Sequence, residues 1–230
     1  MTKDEFIQKN GNISILEDQN KYFSRLTHPA KINGTWEKGT GKGQPLFGGN
    51  FYTTGYYPSS KKPDDDGLNW EALDYENSFL NKAVKLLRSH NCRTLQSEGD
   101  GTFFPFIWTG LLEINELPDD NELGILAPKE VGLAYKNDEI PSKYSNLPVF
   151  YDLMERNNIF WDDEFEEEVT AGMTPEAKNA FAEVSDMFKN ELPVISLIQY
   201  YPDYIEFPAV IGGKDKFGHF IGLITSMIWS

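Results

Sequence analysis

The sequence predicts an α+β protein whose sheet is covered by helices on both faces. Three observations carry this: two amphipathic helical stretches at 76–88 and 174–188, several short strand-like runs, and a final run at 217–229 that is apolar on both faces. A strand with two apolar faces needs cover on both sides, and a sheet between helices provides it. With 230 residues, 40% of them apolar and 14% aromatic, the chain has the material for a large core.

Along the chain, 13–16 and 51–57 have strand composition, with turns supplied by Gly39, Gly41, Gly43 and Gly48-Gly49. The segment 1–74 therefore reads as a small β-rich layer, dense in glycine and aromatic residues. Its Trp36, Phe47, Phe51, Tyr52, Tyr56 and Tyr57 fit the core and edges of such a layer, or alternatively a platform for stacking sugars. Lys61-Lys62-Pro63-Asp64-Asp65-Asp66-Gly67 is a turn or linker signal, which puts a boundary between about 64 and 75. The charge divides there too: 10 acids and 9 bases in 1–75, but 26 acids and 12 bases in 76–230.

The second part, 75–230, opens with the helix at 76–88, whose Phe79, Leu80, Ala83, Val84, Leu86 and Leu87 share one broad face. A polar turn, Gln96-Ser97-Glu98-Gly99-Asp100-Gly101, leads into a buried strand at 103–108; weaker strand signals follow at 123–126 and 131–135. Residues 162–168 hold six acids in seven positions and read as a solvated face. The next helix has Thr174 as N-cap, Pro175 at its first position and Glu176 in its positive first turn. Strand-like runs at 194–201, 204–211 and 217–229 close the chain, the last two forming a hairpin around a glycine-rich loop at 212–216. Pro208 implies a local bulge or edge in its strand.

Charge and composition exclude several function classes. A formal charge of -15 and a pI near 4.6 would repel nucleic acid. The single cysteine, Cys92, rules out an intrachain disulfide or a multi-thiolate zinc site. The first residues lack the apolar core of a secretory signal, and 217–229 is too short to cross a bilayer, so a soluble cytoplasmic protein is expected. His28, His90 and His219 are scattered without metal-ligand spacing. His90 suits the end of a helix, and His219 a satisfied core or edge position. No nucleophile and base are paired, so neither enzymatic activity nor a resident cofactor or metal is expected.

Three segments, in order, resemble the nuclease A inhibitor family. They are Asn77-Ser78-Phe79-Leu80 through Ser97-Glu98 to Phe104-Pro105-Phe106-Ile107-Trp108-Thr109-Gly110, the helix from Asn179-Ala180 to Phe188, and the terminal pair Ile205-Glu206-Phe207-Pro208-Ala209-Val210-Ile211-Gly212 and Gly222-Leu223-Ile224-Thr225. The match covers about 75–230. It implies an α-β-α sandwich of the pathogenesis-related-protein type, and an inhibitor that plugs the active site of a basic, magnesium-dependent, sugar-non-specific endonuclease, either as a host safeguard or as an immunity protein. The family's turn glutamate falls on Glu98, beside Ser97. Its C-terminal hydroxyl residue falls on Ser230, beside Trp229, and the resemblance implies that this chain end approaches the partner's magnesium. The chain departs from the family near Thr174, where the family has an aromatic contact, and 112–168 is longer than the family's equivalent. The rival expectation is a non-enzymatic module binding a small molecule, a glycan or a different basic protein.

Overall fold

The computed structural model describes residues 1–11, 13–16, 27–28, 30–32, 35–37, 44–45, 47–54, 60–61, 68–93, 101–111, 149–199 and 206–228. The helices are α1 (Lys3–Asn10), α2 (Trp70–Ser89), a 3-10 turn (Asp163–Phe165) running into α3 (Glu166–Thr170), and α4 (Pro175–Glu191). The strands are β1 (Ile13–Leu16), β2 (Thr27–His28), β3 (Ala30–Ile32), β4 (Thr35–Glu37), β5 (Gln44–Pro45), β6 (Phe47–Thr54), β7 (Ser60–Lys61), β8 (Phe104–Leu111), β9 (Val149–Asp152), β10 (Ser196–Gln199), β11 (Glu206–Lys214) and β12 (Phe220–Ile228). Eight of them form one sheet in the order β7-β1-β6-β8-β12-β11-β10-β9, with every pairing antiparallel. The chain is thus α+β, and strands from before and after residue 75 share a single sheet through the β6–β8 pair. The signals at 123–126 and 131–135 lie outside the described residues.

Each helix has a local reason to start where it does. Thr2 and Glu5 cap α1 reciprocally: the Glu5 N–H donates to Thr2 Oγ1 at 3.3 Å and the Thr2 N–H donates to Glu5 Oε2 at 2.7 Å. Such a short helix is marginal by itself. It is held by the fully buried Phe6, 5.4 Å from the Trp70 ring, and by a chain in which Lys9 and Asn10 donate to Asp74 while Asn77 donates to Asn10. Helix α2 begins at Trp70, six residues before the expected start, because Asn69 supplies the cap by accepting from the Ala72 N–H at 3.1 Å. Helix α4 starts as expected, with Thr174 accepting from the Ala177 N–H at 3.2 Å and Pro175 at the first position.

Helix α2 lies on β8 and β12, and both α1 and α4 pack against α2. The core between them holds Leu73, Leu80, Ala83, Val84 and Leu87 of α2, Ala180, Phe181, Val184 and Phe188 of α4, and Ile107, Ile221, Leu223 and Ile211 of the sheet. Side chains that alternate with these along the strands, Phe106, Trp108, Val210, Phe220 and Ile224, are equally buried. Residues 220–225 of β12 are therefore buried on both faces.

The hairpin differs from expectation in an instructive way. Gly212 and Gly213 are not in its loop; they lie inside β11, and the turn is formed by residues 215–219. The glycines permit close approach instead of turning the chain. A Cβ on Gly213 would stand 1.9 Å from the Val194 carbonyl oxygen, and one on Gly222, which faces Gly212, would stand 2.0 Å from the Ile211 oxygen. Gly222→Ala should therefore force β11 and β12 apart, lowering stability by about 2–3 kcal/mol in urea unfolding; an unchanged midpoint would contradict the close pairing. The turn glycine is Gly218, at φ +84. Pro208 faces Ser226 on β12, and the described pairing with β10 stops at Ala209, so its missing N–H falls at the end of that ladder.

Candidate functional site

Ser97, Glu98, Trp229 and Ser230 all lie outside the described residues. The strands that lead to them are described, however. In the β8–β12 pair Phe104 faces Ile224 and Phe220 faces Trp108. The chain thus enters β8 and leaves β12 at the same end of the sheet, on neighbouring strands. Glu98 is six residues before Phe104 and Ser230 is six residues after Ile224. The C-terminal half of α2 ends near this point: Arg88 donates to the Phe103 carbonyl at 3.1 Å and its guanidinium lies 4.9 Å from the Phe104 ring centroid.

At the opposite end of the sheet, the β11–β12 turn docks on the first half of α2. His219 Nδ1 is 2.6 Å from Glu76 Oε1, and the Glu76 side chain is fully buried. Asp215 organises the turn, its Oδ1 accepting from the backbone N–H groups of Phe217 at 2.9 Å and His219 at 3.0 Å. Its other oxygen, Oδ2, is buried without a hydrogen-bond partner, and so is Glu76 Oε2. Burial pushes the Glu76 carboxyl up to about 7; His219 opposes the rise and Asp215 adds to it. Burial also disfavours the His219 cation, but the bond to Glu76 and the charges of Glu76 and Asp215 outweigh it and hold His219 above its ordinary value. Around this core, Tyr75 donates to Glu191 at 2.6 Å, and the Lys216 ammonium sits 3.4 Å from the Tyr75 ring centroid.

Sequence reading missed Glu76 as a site residue, although a signal was present. Leu73, Glu76, Leu80, Ala83 and Leu87 recur at three- and four-residue spacing, so Glu76 stands in the apolar stripe of its own helix. An acid in such a stripe requires a partner from elsewhere in the fold. That partner, His219, is 143 residues away.

The acidic run at 162–168 forms the 3-10 turn and the start of α3, and residues 163–168 are exposed, including Phe165. Asp162 caps the turn and pairs with Arg156 at 3.1 Å. A solvated acidic surface is thus what the run provides. His90 is the C-cap residue of α2 and His28 lies in β2. Cys92 is buried beneath α4, its thiol pushed up to about 11 by that burial, which leaves it a poor nucleophile. Among the described residues, no group of three or more His, Cys, Asp and Glu side chains is arranged to hold a metal ion, and no helix is long and apolar enough to cross a membrane. The chain matches no protein-family model and no curated protein.

Proposed function

We propose that this protein is a stoichiometric, non-enzymatic inhibitor of a basic, magnesium-dependent, sugar-non-specific endonuclease, built on an α-β-α sandwich of the pathogenesis-related-protein type. The observation that carries this reading is the β8–β12 register. The two residues that resemble the insertion residues of nuclease A inhibitors, Glu98 and Ser230, are separated in sequence by the whole second part of the chain. Yet Glu98 precedes Phe104 by six positions and Ser230 follows Ile224 by six, and Phe104 and Ile224 are paired at one end of the sheet. A shared docking point for both is therefore natural to this topology.

The chemistry of the target agrees. A nuclease site is cationic and metal-loaded because it must hold a phosphodiester, and a carboxylate on a stiff scaffold can take the phosphate's place through charge-assisted hydrogen bonds. Buried aromatic pairs such as Phe106–Phe220, with centroids 6.0 Å apart, stiffen the β8–β12 pair that leads to this end. The 26 acids against 12 bases in 76–230 supply long-range attraction to a basic partner. The exposed acids of 163–168 add to that field without requiring a specific contact.

Calorimetric mixing with a magnesium-dependent non-specific nuclease, in the absence of nucleic acid, tests this directly. A saturable complex near one-to-one is expected, and the absence of any complex with folded protein would refute the reading. The association rate constant should fall by about tenfold or more between low salt and about 0.5 M salt, with the dissociation rate changing far less. A salt-independent association rate would contradict electrostatic steering.

A further inference from the structure

The turn at 215–219 is anchored to α2 by a cluster with too few hydrogens for its oxygens. Glu76 Oε1 meets His219 Nδ1, and Asp215 Oδ1 receives two backbone N–H groups. The remaining oxygens, Glu76 Oε2 and Asp215 Oδ2, are both buried without a donor, and the two residues meet on His219, whose ring nitrogen is 2.6 Å from Glu76 Oε1 and whose backbone N–H donates to Asp215 Oδ1 at 3.0 Å. Two ionised carboxylates have no hydrogen to offer each other, and a buried acceptor left unpaired is costly. A single proton between those two oxygens satisfies both.

We propose that Glu76 carries a proton on its unpartnered oxygen and donates it to Asp215 Oδ2, and that this bond fastens the β11–β12 turn to α2, so that ionisation of Glu76 loosens the turn from the helix. His219, donating from Nδ1 to Glu76 Oε1, supplies the balancing positive charge. With the proton in place, the cluster carries one carboxylate and one imidazolium; without it, two buried carboxylates face one imidazolium and repel each other. Among the described residues, the other ionisable groups near this junction include Tyr75 on α2, Lys216 on the turn, Glu191 on α4 and Lys214 at the end of β11, whose side chain runs beside Gly218. Lys216 is bound over Tyr75 and near Glu191, so it does not neutralise Glu76. On the α1 side, Lys9 is taken by Asp74.

The pH window follows from the two groups. Glu76 has its ordinary value of 4.5 when unfolded and about 7 when folded, so its contribution is full below 4.5 and is lost as pH rises through about 7. His219 is also raised, so its contribution is full below 6.5 and is lost in the same direction, as pH passes its folded value. Both groups therefore weaken the junction on the alkaline side.

The test is nuclear magnetic resonance on the full chain, following the Glu76 side-chain carboxyl shift and the exchange of the Phe217 and His219 amides, corrected for intrinsic base catalysis. Between about pH 6 and about pH 8 the protection of these amides should fall by about tenfold or more as Glu76 ionises. In Glu76→Gln the side-chain amide donates permanently to Asp215 Oδ2 while its oxygen still accepts from His219, so protection should stay level with pH. Glu76 titrating near 4.5, constant protection in the native protein, or an unchanged pH dependence in Glu76→Gln would each overturn the proposal. Should that variant fail to fold, the carboxyl titration of the native chain decides alone.

Discussion

Phe181→Ala should lower the unfolding free energy by about 3–5 kcal/mol, the largest stability loss expected from one side chain in this fold. The ring is 1% exposed and lies in the middle of α4. Its centroid is 4.9 Å from Phe160, 5.5 Å from Trp161 and 6.3 Å from Phe103, all in edge-on contact. Edge-to-face aromatic pairs add to simple area burial. More decisive is that the surrounding rings belong to different parts of the chain: Phe103 leads into β8, and Phe160 and Trp161 precede the 3-10 turn. Such walls do not collapse together, so most of the cavity should persist. Phe165→Ala is the control, since that ring is 49% exposed and its loss should change stability by less than about 0.5 kcal/mol. Urea unfolding of both variants measures the contrast; equal effects would mean that α4 is not docked as described.

Glu98→Ala should weaken nuclease binding by about 2–4 kcal/mol, or roughly 30-fold to 1,000-fold in Kd, with little change in folding stability. The size follows from the role proposed for Glu98. A carboxylate inserted among the cations that normally hold a phosphate is desolvated and makes charge-assisted bonds, so truncation also leaves the partner's charges unpaired. The loss should appear mainly as faster dissociation. Neutralising two exposed acids, Glu166→Gln with Glu167→Gln, should instead slow association and leave dissociation nearly unchanged. Calorimetry and stopped-flow kinetics separate the two behaviours. A Glu98→Ala variant that binds as tightly as the native protein would remove Glu98 from the interface.

Much of the local structure was legible because it rests on local chemistry. Thr174 and Pro175 announce α4, the apolar run at 13–16 is β1, and residues 220–225 of β12 are buried on both faces. Helix α1 was equally legible through Thr2 and Glu5, but a short polar helix has weak periodicity and its capping signal is easily passed over. The start of α2 was misplaced because Asp74, Tyr75 and Glu76 interrupt the apolar pattern, although Trp70, Ala72 and Leu73 extend the helix upstream to the Asn69 cap. Gly212-Gly213 suggested a turn because glycine serves tight turns and close strand contacts alike, and only the distance to the Val194 and Ile221 carbonyls distinguishes the two uses.

What sequence alone did not carry is the long-range pairing. The joining of β6 to β8, and of Glu76 to His219, brings together residues far apart in the chain, and neither composition nor periodicity specifies such partners. The candidate inhibitor residues show the same division. Resemblance points to Glu98 and Ser230, whereas their equal sequence distance from one ladder position follows only from the pairing of Phe104 with Ile224.

The most direct test is a titration of the protein against a magnesium-dependent non-specific nuclease, read as protection of plasmid DNA from degradation. The account predicts that protection is complete near one inhibitor per nuclease and persists at saturating magnesium, with Glu98→Ala needing a large excess. Full nuclease activity at a several-fold excess of folded protein would contradict it.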